Sequence, residues 1–156
     1  MKAILCSQYC GPDDLVLADV PDPVAGPGEA VIAIKSAALN FFDLLMIQGK
    51  YQIKPPFPFS PAAEVAGVIE SIGAGVTAVQ PGDAVFFSGL GVGSEGSYAE
   101  YVVLAEAQAV PIPDGLSFPE AAAIGMAFPA AYYGLVRRGA LQPGETVLVQ
   151  GAAGGV

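Results

Sequence analysis

Short apolar runs, separated by proline and glycine, occupy residues 1–115 of the chain. Short strands with frequent turn signals between them are typical of β-barrels and sandwiches. We therefore predict a β-rich barrel for this part of the chain. The strand-like runs are Val31 to Ala38, Val65 to Ile72, Ala84 to Phe87 and Tyr98 to Leu104.

A Pro-Gly-acid triplet comes before a strand-like run three times. Proline presets φ at the second position of a turn, and glycine supplies the positive φ needed at the third. Each triplet therefore predicts a turn leading into a strand, and the third leads into a further strand-like run at Thr146 to Gln150. The triplets are Pro27-Gly28-Glu29, Pro81-Gly82-Asp83 and Pro143-Gly144-Glu145.

The pattern changes after Gly115, where Ser117 and Glu120 have the spacing of a helix capping box. The alanine-rich segment that follows has high helix propensity, so we predict a helix here. Pro129 predicts a kink or two helices near Phe128, and Gly139 is typical of a helix C-terminus.

These two patterns divide the chain. We predict a barrel domain over residues 1–122 and the start of an incomplete α/β domain over residues 123–156.

The sequence ends in a glycine-rich loop, Gly151 to Val156, directly after the strand-like run at 146–150. A glycine-rich turn after a strand lets the backbone approach a pyrophosphate closely. With Gly154 at the second glycine position of the dinucleotide motif, the third would be residue 157, beyond this sequence. The spacing alone leaves nucleotide binding and a simple turn open.

Composition narrows the class of protein. The net charge of −9 opposes binding to nucleic acid and to anionic lipid. The longest apolar stretch, residues 121–136, is shorter than the ~20 residues of a membrane span, so we expect no membrane partner. It indicates either a buried helix or a surface that needs a partner. The N-terminus enters a strand-like pattern without a signal sequence, so a cytoplasmic location is expected.

The chain has no histidine and two cysteines, Cys6 and Cys10. An imidazole base and a histidine-containing zinc site are thereby excluded from this segment. The two cysteines are too few for a disulfide framework or a structural zinc site, and we predict free thiols.

Two polar motifs have ordinary structural explanations beside functional ones. Asn40 and Asp43 follow an apolar run, where both residue types favour helix N-termini. Glu64 precedes an apolar strand whose Gly67 permits close approach of a neighbouring backbone. A site role for Asn40 is favoured because several such segments occur together.

In their order and spacing, these segments resemble the zinc-independent NADPH:quinone oxidoreductases of the medium-chain dehydrogenase/reductase superfamily. The resemblance covers essentially the whole chain. It implies a mainly β, GroES-like barrel followed by the first helix and strand of a truncated α/β Rossmann domain. The matching segments are residues 1–3, 40–43, 49–51, 64–68, 81–83, 98–101 and 152–156.

The resemblance also implies a function. The longer protein would bind NADPH between its two domains and transfer a hydride to a quinone or a similar conjugated carbonyl. Asn40 and Tyr51 would be the catalytic residues, with Asn40 at the nicotinamide end of the cofactor and Tyr51 beside the substrate. The cofactor-binding residues would be Asn40, Ala130, Gly154, Gly155 and Val156.

No metal ligands are expected. Zinc-dependent relatives carry histidine and cysteine at the positions of Ala63 and Asn40. Two further positions depart from many zinc-independent relatives. Ile47 replaces an arginine and Ala130 replaces a threonine, which leaves the preferred substrate open.

Two alternatives to this function stay open. An alkenal or enoyl reductase of the same superfamily would share these motifs. A non-enzymatic GroES-like binding module would not need the segment from Ala152 to Val156. We expect a homodimer, and we expect this chain by itself to be inactive and to lack useful NADPH affinity, because it supplies one strand and one unfinished loop of the cofactor domain.

Overall fold

A computed structural model describes residues 1–89 and 96–156. Antiparallel strands form most of the regular secondary structure before residue 115, and the longer of two α-helices follows them. The strands are β1 (Lys2–Leu5), β2 (Val16–Asp19), β3 (Glu29–Ala37), β4 (Glu64–Ile72), β5 (Ala84–Ser88), β6 (Tyr101–Ala105) and β7 (Val110–Pro111); the α-helices are α1 (Phe41–Ile47) and α2 (Phe118–Tyr132).

The main sheet has the strand order β6-β3-β4-β5-β7, and all its pairings are antiparallel. Strands β1 and β2 form a separate hairpin, which joins the rest through a bridge between Ala3 and Ala99 and another between Cys6 and Phe59. All four predicted runs contain strands of this sheet. The last begins at Tyr101 rather than Tyr98, because residues 98–100 instead bond to the edge of β1.

Alternation along the strands builds two apolar layers. Val65 and Ile69 of β4 point into the main core together with Val85 and Phe87 of β5. Ala66, the next residue of β4 after Val65, faces the opposite way and packs against α2. The sheet is therefore covered on one face by its own core and on the other by the helix.

Gly67 lies where β3 and β4 approach closely. A Cβ added there would be 2.2 Å from the carbonyl oxygen of Ala33. This confirms the close backbone approach predicted for Gly67, and it excludes any larger residue from this position.

The predicted capping box starts α2. The Ser117 hydroxyl accepts from Glu120 N at 3.5 Å, and the Glu120 carboxylate accepts from Ser117 N at 2.8 Å. The helix is not divided at Phe128. It continues past Pro129 to Tyr132 and then becomes a π-helix at Tyr133–Arg138.

The structure also changes the predicted helix end. Gly139 is the C-cap but has an ordinary φ of −76°. The left-handed residue is the next one, Ala140, with φ 50°.

The strand predicted at residues 146–150 is wrong for this chain. The third triplet does form a turn, with φ 90° at Gly144, but no strand follows it. Val147, Leu148 and Val149 are 40, 83 and 58 % exposed. A parallel strand needs a neighbour to accept its backbone hydrogen bonds, and the described residues supply none at this position.

The fold class is thus confirmed for the barrel and the first helix, and the boundary after residue 122 stays a prediction. Among the described residues, we find no helix with the length and apolar character required to cross a bilayer.

Candidate active site

The side chain of Asn40 is held by a buried carboxylate. Asn40 is the N-cap residue of α1, yet its side chain makes no capping hydrogen bond. Its Nδ2 instead donates to Glu64 Oε2 at 2.7 Å. Because a carboxylate only accepts, the amide nitrogen must face Glu64 and the amide oxygen must face away. Asn40 therefore presents Oδ1, a hydrogen-bond acceptor, on the side away from Glu64.

Glu64 connects this residue to α2. It is 2 % exposed, and its second oxygen, Oε1, accepts from the backbone nitrogen of Met126 at 2.5 Å. Hydrogen bonds to a carboxylate are roughly twice as strong as neutral ones. Glu64 thus fixes the start of α1 to the middle of α2, and both of its oxygens have partners.

The tight packing of α2 against β5 brings Met126 to Glu64. A Cβ added at Gly125 would be 2.2 Å from Ser88 Cβ and 3.0 Å from Glu64 Oε1. Only glycine fits at this contact without moving a neighbour. Gly125 therefore sets the distance between the helix and the carboxylate.

A second buried carboxylate, Asp43, holds the backbone of Asn40. Asp43 is 4 % exposed, and its Oδ2 accepts from Asn40 N at 2.8 Å and from the Tyr98 hydroxyl at 3.2 Å. This confirms the predicted role of Asp43 in the start of a helix. Asn40 is therefore held twice, by Asp43 at its backbone and by Glu64 at its side chain.

Burial is the largest influence on the pKa values of Asp43 and Tyr98. Desolvation raises the pKa of Asp43, the hydrogen bonds from Asn40 and Tyr98 lower it, and the nearby charge of Glu64 raises it further, leaving a net increase. Burial and the charge of Asp43 both raise the pKa of Tyr98. Asp43 Oδ1 is buried without a hydrogen-bond partner among the described residues.

Tyr51 follows α1 and lies in an apolar cluster with the end of that helix. Its ring packs against Phe42 with centroids 5.6 Å apart. Ile47, where many relatives have arginine, is buried in the same cluster. An apolar residue suits this position in the present chain, because a charged group buried there would need a partner.

Three of the predicted cofactor residues lie at the end of the sequence. Gly154 N donates to Gly151 O at 2.8 Å, which closes a turn. Gly155 and Val156 line a space of about 200 Å³ with Ala127, Phe128 and Ala131 of α2. Ala130 is exposed one helical turn beyond Met126. Gly155 and Val156 thus lie against α2, the helix that Glu64 joins to Asn40.

An apolar groove of about 790 Å³ lies between α2 and β5. Gly125, at which an added Cβ would lie 3.0 Å from Glu64 Oε1, also lines this groove, so the groove runs alongside the candidate site. Its other lining residues include Phe86, Ile124, Phe128, Pro129 and Tyr132.

With this geometry established, comparison with known proteins identifies the fold. Residues 26–114 match the alcohol dehydrogenase GroES-like domain family. The chain belongs to this family.

Relatives extend the match beyond the GroES-like domain. The chain is 36 % identical to the quinone oxidoreductase of Pongo abelii over 100 % of its own length and 47 % of the relative's. A probable oxidoreductase from Mycobacterium abscessus has a TM-score of 0.90 and 42 % identity, over 99 % of this chain and 48 % of that protein. The quinone oxidoreductase of Thermus thermophilus, solved also in complex with NADPH, has a TM-score of 0.81 and 38 % identity, over 99 % and 46 %.

These matches confirm the resemblance to the medium-chain dehydrogenase/reductase superfamily. The chain spans about half the length of the relatives it matches. The GroES-like domain therefore comes with a further segment that includes α2 and the glycine-rich loop.

Sequence reasoning missed the bonding role of Glu64 and the contribution of Met126 and Gly125. Glu64 had a detectable signal, since an acid at the start of an otherwise apolar strand is buried only if it is bonded. Its partner Met126 had none, because a backbone nitrogen 62 residues away leaves no mark in composition or spacing.

Proposed function

We propose that this chain is the catalytic part of a zinc-independent, NADPH-dependent quinone oxidoreductase, which transfers a hydride to a quinone or a similar conjugated carbonyl. The match of this whole chain to about half of proteins named quinone oxidoreductase carries the proposal. The doubly held Asn40 supports it, because a residue fixed at its backbone by one buried carboxylate and at its side chain by another is suited to orienting a bound group.

The glycine-rich loop fits the phosphate end of such a cofactor. A Cβ added at Gly155 would meet no atom within 4 Å, so the backbone of the loop is open to a ligand. We propose that Gly154, Gly155 and Val156 hold the pyrophosphate through backbone groups, with Ala130 beside the cofactor. When bound, NADPH would supply the hydride.

Asn40 and Tyr51 have different proposed tasks. Asn40 orients the nicotinamide end through Oδ1, the acceptor that Glu64 leaves available. Tyr51 borders the acceptor and supplies a proton from its hydroxyl. A quinone is already electron-poor, so positioning accounts for most of the rate in this mechanism.

Zinc independence is part of the proposal and rests on the available donors. Ala63 has no ligating atom, and Asn40 offers only a neutral amide oxygen in place of the thiolate, imidazole or carboxylate donors that zinc sites use. Both oxygens of Glu64 and Oδ2 of Asp43 accept hydrogen bonds, two of which hold Asn40. Elemental analysis of the active protein is expected to find no stoichiometric zinc, and chelation is expected to leave turnover unchanged.

The test of function uses the complete product of this gene from its own host. Turnover is measured with NADPH and NADH, each with a quinone and with an enone. We expect the highest kcat/KM for NADPH with the quinone. Preference for the enone would favour an alkenal or enoyl reductase, and no turnover with either acceptor would refute the proposal. The 156-residue chain assayed in parallel is expected to be inactive and to bind NADPH negligibly.

Two variants test the residue roles. Asn40→Ala is expected to lower kcat on the order of tenfold, as the loss of an orienting interaction of about 1.4 kcal/mol would. Leu39→Ala, at a neighbouring side chain that is 76 % exposed, is the matched control and is expected to retain activity. Tyr51→Phe is expected to slow turnover while leaving the Phe42 contact intact. Unchanged turnover would dismiss Tyr51 as the proton donor.

We also propose that the complete protein is a cytoplasmic homodimer. Sedimentation equilibrium on the native product and fractionation of its host measure these two properties directly.

A further inference from the structure

The two cysteines lie in contact within one short bend after β1. Their Sγ atoms are 3.8 Å apart, and both are free thiols. Cys6 is 0 % exposed, whereas Cys10 is only partly buried. The Cys6 Sγ also makes a 3.1 Å hydrogen bond to the carbonyl oxygen of Gln8. The bend therefore turns one thiol inward and leaves its neighbour within reach of solvent.

Backbone hydrogen bonds hold both ends of this bend. Cys6 exchanges two with Phe59, at 2.8 and 3.1 Å. Cys10 N donates to Ile47 O, at the end of α1, at 2.9 Å. The sulfur contact is thus between two anchored residues, and a disulfide bond requires the sulfurs to approach by only about 1.8 Å more.

From this geometry we propose that Cys6 and Cys10 form a dithiol modification site, at which hydrogen peroxide converts the pair to an intramolecular disulfide. In the first step, the Cys10 sulfur attacks the peroxide and breaks its O–O bond, which gives a sulfenic acid and one water. In the second, the Cys6 sulfur attacks the Cys10 sulfur and displaces hydroxide, which takes the Cys6 proton and leaves as a second water. Two thiols are oxidised and one peroxide is reduced.

The order of these steps follows from the surroundings of each thiol. Burial and the neighbouring Cys10 raise the pKa of Cys6 to about 11, so Cys6 stays protonated near neutral pH. The thiolate is the nucleophile, and a buried thiol also excludes the oxidant. Cys10 therefore reacts first and Cys6 resolves the sulfenic acid.

The site is connected to the surroundings of Tyr51. Cys6, Cys10 and Tyr51 belong to one apolar cluster around the end of α1. Within the bend, Tyr9 covers Gly49, where an added Cβ would be 2.9 Å from its ring. The disulfide would therefore form within the apolar cluster that contains Tyr51.

The experiment treats the native protein with hydrogen peroxide and follows its intact mass and free thiols. We expect a loss of about 2 Da and of both thiols, at a rate independent of protein concentration, with full reversal by dithiothreitol. Chymotrypsin cleaves after Tyr9, between the two cysteines, so the resulting peptides should stay linked until reduction. Gains of about 16 Da per oxygen without the loss of 2 Da, or covalently linked chains, would overturn the proposal.

Two variants separate the roles of the thiols. Cys6→Ser is expected to accumulate sulfenic acid at Cys10, which a dimedone adduct detects, and Cys10→Ser is expected to react far more slowly. Equal reaction of Cys10→Ser and the wild type would contradict the assigned order. None of these readouts involves a nicotinamide cofactor or a quinone, so the result is independent of the proposed function.

Discussion

At the scale of residues, the site depends on which atoms accept hydrogen bonds. Glu64 accepts from Asn40 and from Met126, one through each oxygen. The orientation of the Asn40 amide therefore depends on the carboxylate. Replacing one oxygen of Glu64 by nitrogen changes that orientation without changing the shape of the side chain.

Glu64→Gln is accordingly the most informative single substitution. With its oxygen kept on Met126 N, the new amide nitrogen faces Asn40, whose amide must then flip and present Nδ2 in place of Oδ1. We expect a fall in kcat of about tenfold and a loss of about 1 kcal/mol of stability, because two charge-assisted hydrogen bonds become neutral ones. Urea unfolding and steady-state turnover of the complete protein measure the two effects.

Glu70→Gln is the control for this change. Glu70 lies on the same strand and is exposed, so neither stability nor turnover should change. A fall of equal size in Glu70→Gln would show that the effect of Glu64→Gln is a general consequence of lost charge.

Asp43 predicts a pH dependence of stability. Its pKa is raised by folding, so the native state binds more protons than the unfolded state between the ordinary pKa of aspartate and the raised value. Stability contributed by this residue is then greatest at low pH and falls as pH increases through that window. Asp43→Asn removes the titration, and its oxygen can still accept from Asn40 and Tyr98.

The measurement is urea unfolding of the wild type and Asp43→Asn at several pH values from about 4 to 7. The difference in stability, wild type minus variant, should decrease with rising pH, because other titrating groups cancel between the two proteins. Parallel curves would mean that burial does not perturb Asp43.

At the scale of elements, the position of α2 decides whether the backbone nitrogen of Met126 reaches Glu64, the residue that also holds Asn40. Its start was predictable, because the Ser117 and Glu120 pattern is local. Its packing was not, because the contact of Gly125 with Ser88 depends on tertiary structure. A glycine in an alanine-rich helix is unfavourable by itself, and here the close approach to β5 explains its presence.

Gly125→Ala is therefore expected to destabilise the protein by about 1–3 kcal/mol, since the added methyl group overlaps Ser88 and pushes α2 from Glu64. Gly134→Ala is the matched control. A Cβ there meets nothing within 4 Å, so the change should be neutral or slightly stabilising. Thermal unfolding compares the two variants.

The double variant Gly125→Ala with Ser88→Gly tests whether overlap with the Ser88 side chain causes the loss of stability. Removing the Ser88 side chain eliminates the 2.2 Å contact, so part of the lost stability should return. If Ser88→Gly gives no recovery, the overlap with Ser88 is not the source of the loss.

At the scale of the whole molecule, apolar surface is unevenly distributed. The barrel encloses its core, whereas α2 and the residues after it expose large side chains, among them Phe128, Tyr132 and Leu148 at 66, 56 and 83 %. Contiguous exposed apolar surface promotes association. We expect the 156-residue chain to self-associate through this region.

Leu148→Lys should therefore reduce self-association of the isolated chain, measured as the concentration dependence of its mass by light scattering. Val24→Lys is the control. Val24 is 86 % exposed but lies outside the region formed by α2 and the C-terminal residues, so its replacement should have no effect. An equal reduction by both would indicate that added positive charge, not the lost apolar group, disrupts association.

The sequence by itself determined the elements whose cause is local. Turns at Gly28 and Gly82, the strands that follow them and the capped start of α2 all depend on neighbours within a few residues. It also determined the family, because the order of its motifs spans the whole chain. The predicted strand at residues 146–150 failed because a strand depends on a neighbour as well as on its own residues.

Only the tertiary structure decided the details of the candidate site. It brought together Asn40, Glu64 and the backbone of Met126, and it placed two sulfurs in contact at Cys6 and Cys10. These relations depend on distances set by packing between elements. A buried carboxylate must find donors wherever the fold supplies them, and a sequence records that it is an acid but not which donors it will meet.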